Sequence, residues 1–363
     1  MRRIELHYQI AQSTNRVAGL YNPMMALLFA VRTEGSISAA ARRVGYSYRH
    51  VWGQLKAWEA ELGQPLIVWE RGQAATLTPF ADKLIWTERL AQARLAPQIE
   101  TLQAELERTL ALAFDPQSHV LGLYASHDDA LPLLQSHASQ AGLHLDIHFC
   151  GSVDAIRALN EGRCVVAGFH TRDKPTEGSP SARAYQPLLT PGRHKLIGFA
   201  QRTQGLVVAK GNPRRVQTLR DVARWQLRFA NRALGSGTRL LLDELLAEAG
   251  LATTDIHGYD RVEPSHAAVA EAVAGGNADV GLATESAAHK RGLGFVPLLR
   301  EHYHLACLNT ALDQAGVLAL RNTLATPGWQ AVLGGVPGYE PDACGEVRSL
   351  KATLPWWRFE PDH

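Results

Sequence analysis

The sequence predicts a chain of two parts, a small N-terminal winged helix-turn-helix followed by a larger α/β domain of two lobes. Three observations predict it. A length of 363 residues exceeds what one hydrophobic core usually organises. Two capped helical segments joined by a tight turn lie near the N-terminus, over residues 36–62. From residue 119 onward short apolar strands alternate with helical stretches, the pattern of α/β layers.

Taken in order, Ile4, Leu6, Tyr8 and Ile10 alternate with polar residues and predict a half-buried strand. Residues 23–34 predict a helix that Gly35 and Ser36 break. Ser36 caps a second short helix, ISAAARRV, which Gly45 ends; Ser47 caps a longer one, YRHVWGQLKAWEAEL, with Val51, Leu55, Trp58 and Leu62 on one face. Ala41 permits close helix approach, Gly45 can take the left-handed conformation of the turn, and Val51 plugs the second helix against the first. The start of that second helix presents Tyr48, Arg49 and His50, with Gln54 and Lys56 further along, donors suited to base edges and phosphates. The run PLIVWERGQAATLTP predicts two short strands around Arg71 and Gly72, a wing that pairs with the N-terminal strand and brings Arg71 to a phosphate backbone. The plainer alternative is a small helical domain with a polar face. Formal net charge is only +2, so contact with nucleic acid must come from these local cations.

Within residues 87–114, Leu95, Ile99, Leu102, Leu106 and Leu110 keep spacings near three and four, a short coiled-coil seam that would pair two chains. The alternative is that the stripe packs on its own domain. The domain limits expected are 1–86 for the winged helix-turn-helix, 87–118 for a linking and pairing helix, 119–345 for the two-lobed domain and 346–363 for a tail containing Trp356 and Trp357. The strands VLGLYAS, LHLDIHFCG, CVVAGFH, GLVVAK, LRFANR and ADVGLAT imply mainly parallel sheets, in which ligands bind beyond the C-terminal strand ends. Three such ends carry suggestive chemistry: Ser126, His127 and Asp128; Gly151 and Ser152; and residues 231–239. In NRALGSGTRLLLDELL, glycines beside Ser236 and Thr238 at a helix start leave backbone N–H groups facing an incoming anion. Arg232 or Arg239 adds a charge-assisted bond, and Ser126 and Ser152 complete the shell from the opposing lobe. A Gly-Ser turn that merely caps a buried helix is the alternative.

Other chemistries find little support. Cys150, Cys164, Cys307 and Cys344 show no CxxC spacing, so neither a disulfide framework nor a zinc site is expected. His302 and His304 share a strand face without a third ligand at suitable spacing, which favours a structural role and no metal site. Ser126, His127 and Asp128 are chain neighbours and cannot form a catalytic triad, so no catalytic residue is assigned. No apolar run has signal-peptide or membrane-spanning character, so a cytoplasmic protein without membrane contact is expected.

The segment GSISAAARRVGYSYRHVWGQLKAWEAELGQPLI resembles the winged helix-turn-helix of LysR-type regulators, and its SYRHVW core resembles the molybdate-responsive ModE regulators. The resemblance covers about the first quarter of the chain and implies dimeric binding of double-stranded operator DNA through Ser36, Ser47, Tyr48, Arg49, His50, Gln54 and Arg71. The ModE wing is richer in glycine than GQAATLTP. NRALGSGTRLLLDELL with GYDRVEPSHAAVAEAVAGGNADVGLAT resembles the periplasmic-binding-protein-like (type II) domain over residues 119–340, and GSGTR resembles the oxyanion turn of molybdate and tungstate binders. This implies Ser126, Ser152, Ser236, Gly237, Thr238 and Arg239 as ligands of a small anionic effector, with no other cofactor. One departure is ASHDD, which stands where tungstate binders carry threonine and serine; His127 and Asp128 disfavour a dianion unless the histidine is protonated. The resemblance implies a homodimeric, ligand-responsive transcription regulator whose effector is molybdate or tungstate, or else a small carboxylate such as formate. A molybdenum-cofactor-related enzyme or handling module, with the helix-turn-helix used for assembly, is the alternative of a different class.

Overall fold

The computed structural model describes residues 22–68, 75–114, 119–173 and 178–354. The chain divides into two compact units, one ending at Ala96 and the other starting at Pro97.

In the first unit three helices, α1 (Pro23–Glu34), α2 (Ile37–Val44) and α3 (Tyr48–Leu62), begin at the residues whose side chains cap them. Asn22 accepts from the N–H groups of Met24 and Met25, Ser36 from that of Ala39 and Ser47 from that of His50. Each cap satisfies a donor that a helix start leaves open, worth about 1 kcal/mol. Gly45 ends α2 at φ 76°, in the left-handed region that a side chain resists. Ala41 and Val51 meet as expected in a core with Leu28, Val31, Ile37 and Leu55, while Trp58 and Leu62 are only partly buried. Strands β1 (Ile67–Val68) and β2 (Thr76–Leu77) pair antiparallel as the base of the wing. The strand expected at residues 4–10, and Arg71 at the wing tip, lie outside the described residues.

Thr78 caps the next helix through the N–H of Ala81, so α4 (Pro79–Phe114) starts where the wing ends, ahead of the expected residue 87. Its first turns supply Ala81 and Ile85 to the core of the first unit. Leu102 and Leu106, from the expected apolar stripe, are exposed, as is Leu95, and Ile99 is partly buried; the side chain of Leu110 lies outside the described residues.

The second unit opens with β3 (His119–Ala125), α5 (Ala130–Ser139), β4 (Leu143–Phe149), α6 (Ser152–Asn160), β5 (Val166–Arg172) and α7 (Pro180–Tyr185). It continues through β6 (His194–Val208), α8 (Leu219–Arg224), β7 (Phe229–Arg232), α9 (Gly237–Ala249), β8 (Val262–Glu263), α10 (His266–Ala274), β9 (Val280–Thr284), α11 (Glu285–His289) and β10 (Gly294–Leu308). It closes with α12 (Ala315–Ala325), α13 (Pro327–Gly334), β11 (Tyr339–Pro341), β12 (Val347–Ser349) and α14 (Leu350–Thr353). The strands join in the order β4-β3-β5-β10-β6-β9-β7-β8, with β11 and β12 pairing β6. The expected parallel pairing holds within β4-β3-β5 and within β9-β7-β8. It fails in the middle, where β10 is antiparallel to both β5 and β6, and β6 to β9. The run GLVVAK is only the end of β6, a strand of 15 residues. The reason is topological: βαβ crossovers make each lobe parallel, but a chain that passes from one lobe to the other and back crosses in opposite directions.

Lobe one packs Leu123, Ile147, Phe199, Tyr303 and Trp329 in one core and Ile156, Phe169, Tyr185 and Leu350 in another. Lobe two is built on Leu206, Val222, Phe229, Leu242 and Val280. The expected tail from residue 346 is part of lobe one as far as Leu354, since β12 pairs β6 and Leu350 and Leu354 are buried; Trp356 and Trp357 lie outside the described residues. Among the described residues no helix is long and apolar enough to cross a membrane.

Candidate functional site

On the first unit, Tyr48, Arg49, His50, Gln54 and Lys56 are all exposed on α3, the helix whose buried face holds Val51 and Leu55. Ser36 and Ser47 serve as helix caps beside this face. Tyr46 and His50 place their ring centroids 4.7 Å apart. Lys56 is turned back, 2.7 Å from Glu59 and over the ring of Trp52. Glu59 in turn accepts from the N–H groups of Leu66 and Ile67, which ties α3 to the wing.

In the second unit the C-terminal ends of β3, β4 and β7 converge. Ser126 and Ser152, both buried, place their hydroxyl oxygens 3.1 Å apart. Val153 N–H donates to the Gly235 carbonyl at 3.4 Å, so the lobes touch beside these hydroxyls. At Gly237, the first residue of α9, a Cβ would stand 3.3 Å from His170 Cβ and 3.4 Å from both His170 Nδ1 and Ser152 Oγ. Among the described residues the N–H groups of Gly237 and Thr238 donate no hydrogen bond. The start of α9 thus has two open donors, with a hydroxyl and an imidazole packed against it. Thr238 Oγ1 accepts from Gln204 Nε2 at 3.2 Å.

Two expected ligands point elsewhere. Ser236 Oγ accepts from Arg239 N–H and donates to the Ala233 carbonyl at 2.8 Å, so its only proton is spent on the turn and none is left to donate to an anion. Arg239 lies over the Tyr259 ring at 3.9 Å, with Nε 3.5 Å from Asp243 and Nη1 donating to the Arg232 carbonyl. The i to i+4 spacing with Asp243 holds it to its own helix.

Arg232 is near enough to His170 and His266 to act on both electrostatically. It ends β7, is buried, and its Nε and Nη1 have no hydrogen-bond partner. Burial, and then the nearby Arg202, hold its pKa down to about 9, against the pull of Asp128. Arg202 is itself buried between Asp128 and Glu301. Asp128 also accepts from Tyr339 Oη at 2.7 Å and from Ala130 N–H, while Asp129 pairs with Lys290. The acidic residues of ASHDD are thus neutralised by partners of their own, and His127 lies 3.1 Å from Glu100 on α4.

Two residues of this cleft, His170 and Tyr303, escaped the sequence reading, while His266 was read as a lobe-closing or helix-start residue, with ligand contact as the lesser alternative. Both ring nitrogens of the buried His170, on β5, lack a partner, and the ring centroid is 3.9 Å from that of Tyr303, whose hydroxyl is also unpartnered. His266 starts α10 with Nδ1 unpartnered. Burial first, then Arg202 for His170 and Arg232 for His266, hold both imidazoles well below their ordinary pKa, so both are neutral. The signal for His170 was present: CVVAGFH is another strand of the lobe, and the strand-end rule that selected Ser126 and Ser152 applies to it equally. Outside the cleft, His302 is held between Asp342 and Asp173, and His304 Nε2 is 2.9 Å from Thr171 Oγ1.

Residues 134–325 match the model of the PBP superfamily domain, and residues 24–82 match that of the bacterial regulatory helix-turn-helix proteins of the lysR family. The chain is 30% identical over 234 residues to the uncharacterized protein YvgK of Bacillus subtilis (strain 168), covering 64% of this chain and 75% of that protein. It is 36% identical over 103 residues to the molybdenum-pterin-binding protein MopB of Rhodobacter capsulatus, covering 27% of this chain and 36% of that one. Among solved structures, full-length BenM matches at 16% identity with a TM-score of 0.42, covering 93% of this chain and 99% of that one. With more than half its length in the first of these matches, the chain belongs to the PBP superfamily domain family and carries a regulatory helix-turn-helix of the lysR family ahead of that domain.

Proposed function

We propose that this ligand-responsive regulator of the lysR type reads a small oxyanion, molybdate or tungstate, in the cleft between its lobes and reports it to operator DNA held by α3 and the wing. Two chains pair through α4, and the protein works in the cytoplasm, where its operator is. The observation that carries the reading is the buried guanidinium of Arg232 with two unpartnered donors. Leaving a buried charge uncompensated costs several kcal/mol, and an anion against Arg232 and the open N–H groups of α9 removes that cost. The two serine hydroxyls and His170 add donors on the opposing lobe. The choice of a molybdenum oxyanion draws on the similarity to a molybdenum-pterin-binding protein.

The test is thermal unfolding with molybdate, tungstate, sulfate, phosphate and formate, because a ligand that binds only the folded state raises stability by mass action, by about 2.7 kcal/mol at a hundred times Kd. Molybdate and tungstate should raise Tm in the wild type but not in Arg232→Met or Gly237→Ala. A shift with formate alone would move the effector to carboxylates, and no shift with any anion would overturn the oxyanion reading. On the DNA side, Arg49→Ala should lower the slope of log K against log salt by about one.

A further inference from the structure

Arg202 is engaged by both Asp128 and Glu301, which leaves Arg232 with a single positive charge to meet an incoming ligand. A dianion entering beside Arg232 brings two negative charges into a region from which water is excluded, and the positive end of α9 offsets only a fraction of one. A proton is the available remedy, and the group placed to take it is a histidine with its ring nitrogens unused.

We infer that His170 contacts the bound anion directly and takes up a proton from solvent when a dianion enters, so that the cleft is a site for doubly charged tetrahedral oxyanions. This rests on the oxyanion reading of the cleft. The geometry is specific to this residue. His170 Nδ1 and Ser152 Oγ both lie 3.4 Å from the point where Gly237 would carry a Cβ, so both pack against the start of α9. Neither ring nitrogen has a partner, so one is free to donate to an anion oxygen and the other to be protonated. The groups around the ring are Tyr303 and His304 of β10, Arg202 of β6, Arg232 of β7 and His266 of α10. None is an available acid counter-ion, because the carboxylates nearby, Asp128 and Glu301, are engaged by Arg202. Burial and these cations keep the ligand-free imidazole neutral; an anion at Gly237 reverses the sign of the local field. Donor number favours four oxygens over two. Arg232 Nε and Nη1, the N–H groups of Gly237 and Thr238, and whichever of the mutually bonded Ser126 and Ser152 hydroxyls keeps its proton free exceed the roughly four lone-pair sites of a monocarboxylate, and unfilled buried donors reject a ligand.

The sign is fixed by linkage: a group neutral in the free protein and protonated in the complex makes binding tighter as pH falls. Calorimetric titration of the full chain with sodium molybdate at pH 6.5, 7.5 and 8.5, in buffers of differing ionisation enthalpy, should show uptake of ~1 proton per site. Kd should rise by up to ~10-fold for each pH unit. His170→Gln should still bind at pH 8.5, with a Kd that no longer depends on pH and no proton uptake. Wild-type binding that needs Arg232 but exchanges no proton would overturn the inference and leave the oxyanion reading standing, as would proton uptake that persists in His170→Gln. Absence of molybdate binding would overturn both.

Discussion

A guanidinium buried with two donor nitrogens unpartnered, as in Arg232, costs folding free energy that an aliphatic side chain of similar length does not. In urea denaturation, ligand-free Arg232→Met is therefore expected to match or exceed the wild type in stability, by up to about 1–4 kcal/mol. On the oxyanion reading proposed above, the same variant is expected to lose any stabilisation by molybdate, because stability and binding make opposite demands at this position. A large destabilisation without ligand would mark Arg232 as a structural residue and count against the site. Ser236 makes the converse case. Its hydroxyl serves Arg239 N–H and the Ala233 carbonyl, so Ser236→Ala should cost about 0.5–2 kcal/mol of stability and leave the molybdate Kd nearly unchanged in the same calorimetric titration. A Kd that collapses with Ser236→Ala would return that hydroxyl to the ligand shell.

At the scale of the element, α4 leaves Leu102 and Leu106 exposed, one turn apart on a single face, while Ala93 and Ala104 are buried. A second copy of the helix is the partner this spacing suits. Replacing both leucines by glutamate is expected to convert the protein to a monomer in sedimentation velocity and to weaken operator binding by about 10²–10⁴, the avidity lost with the second half-site. A dimer that survives the double substitution would place the pairing surface elsewhere. Elements such as these were legible in the sequence because their determinants are local: Ser36, Gly45 and Ser47 fix three helix ends within a dozen residues, and the stripe on α4 needs only its own spacing. The start of α4 was missed because the cap, Thr78, lies in a wing segment read as strand. The antiparallel crossing of β6 and β10 was missed because an apolar run states that a strand is buried but not in which direction its neighbours run.

At the scale of the whole molecule, the cleft is assembled from residues that the sequence keeps far apart: Arg202 meets Asp128 across 74 positions and Glu301 across 99. No local rule pairs them, which is why Arg239, near in sequence to the glycine turn, was expected in the site while His170 was not. The same long-range packing connects the cleft to α4. His127, next to Ser126, lies 3.1 Å from Glu100, and Phe149 N–H, at the end of the strand leading to Ser152, donates to Thr101 Oγ1 at 3.4 Å. Both loops that supply hydroxyls to the cleft thus rest on adjacent residues of the helix whose first turns form part of the helix-turn-helix core. A loop that shifts when an anion binds must then change its contact with α4, and the change is a coupling free energy that works equally in both directions. Glu100→Gln combined with Thr101→Val is expected to leave the molybdate Kd of the free protein nearly as it is, while the ratio of operator Kd values with and without molybdate falls toward one. By reciprocity the ratio of molybdate Kd values with and without operator DNA must fall by the same factor. Fluorescence anisotropy with labelled operator measures the first ratio and calorimetry on the protein–DNA complex the second. A double variant that keeps the wild-type ratio in both would show that the anion signal reaches DNA without passing through these two residues.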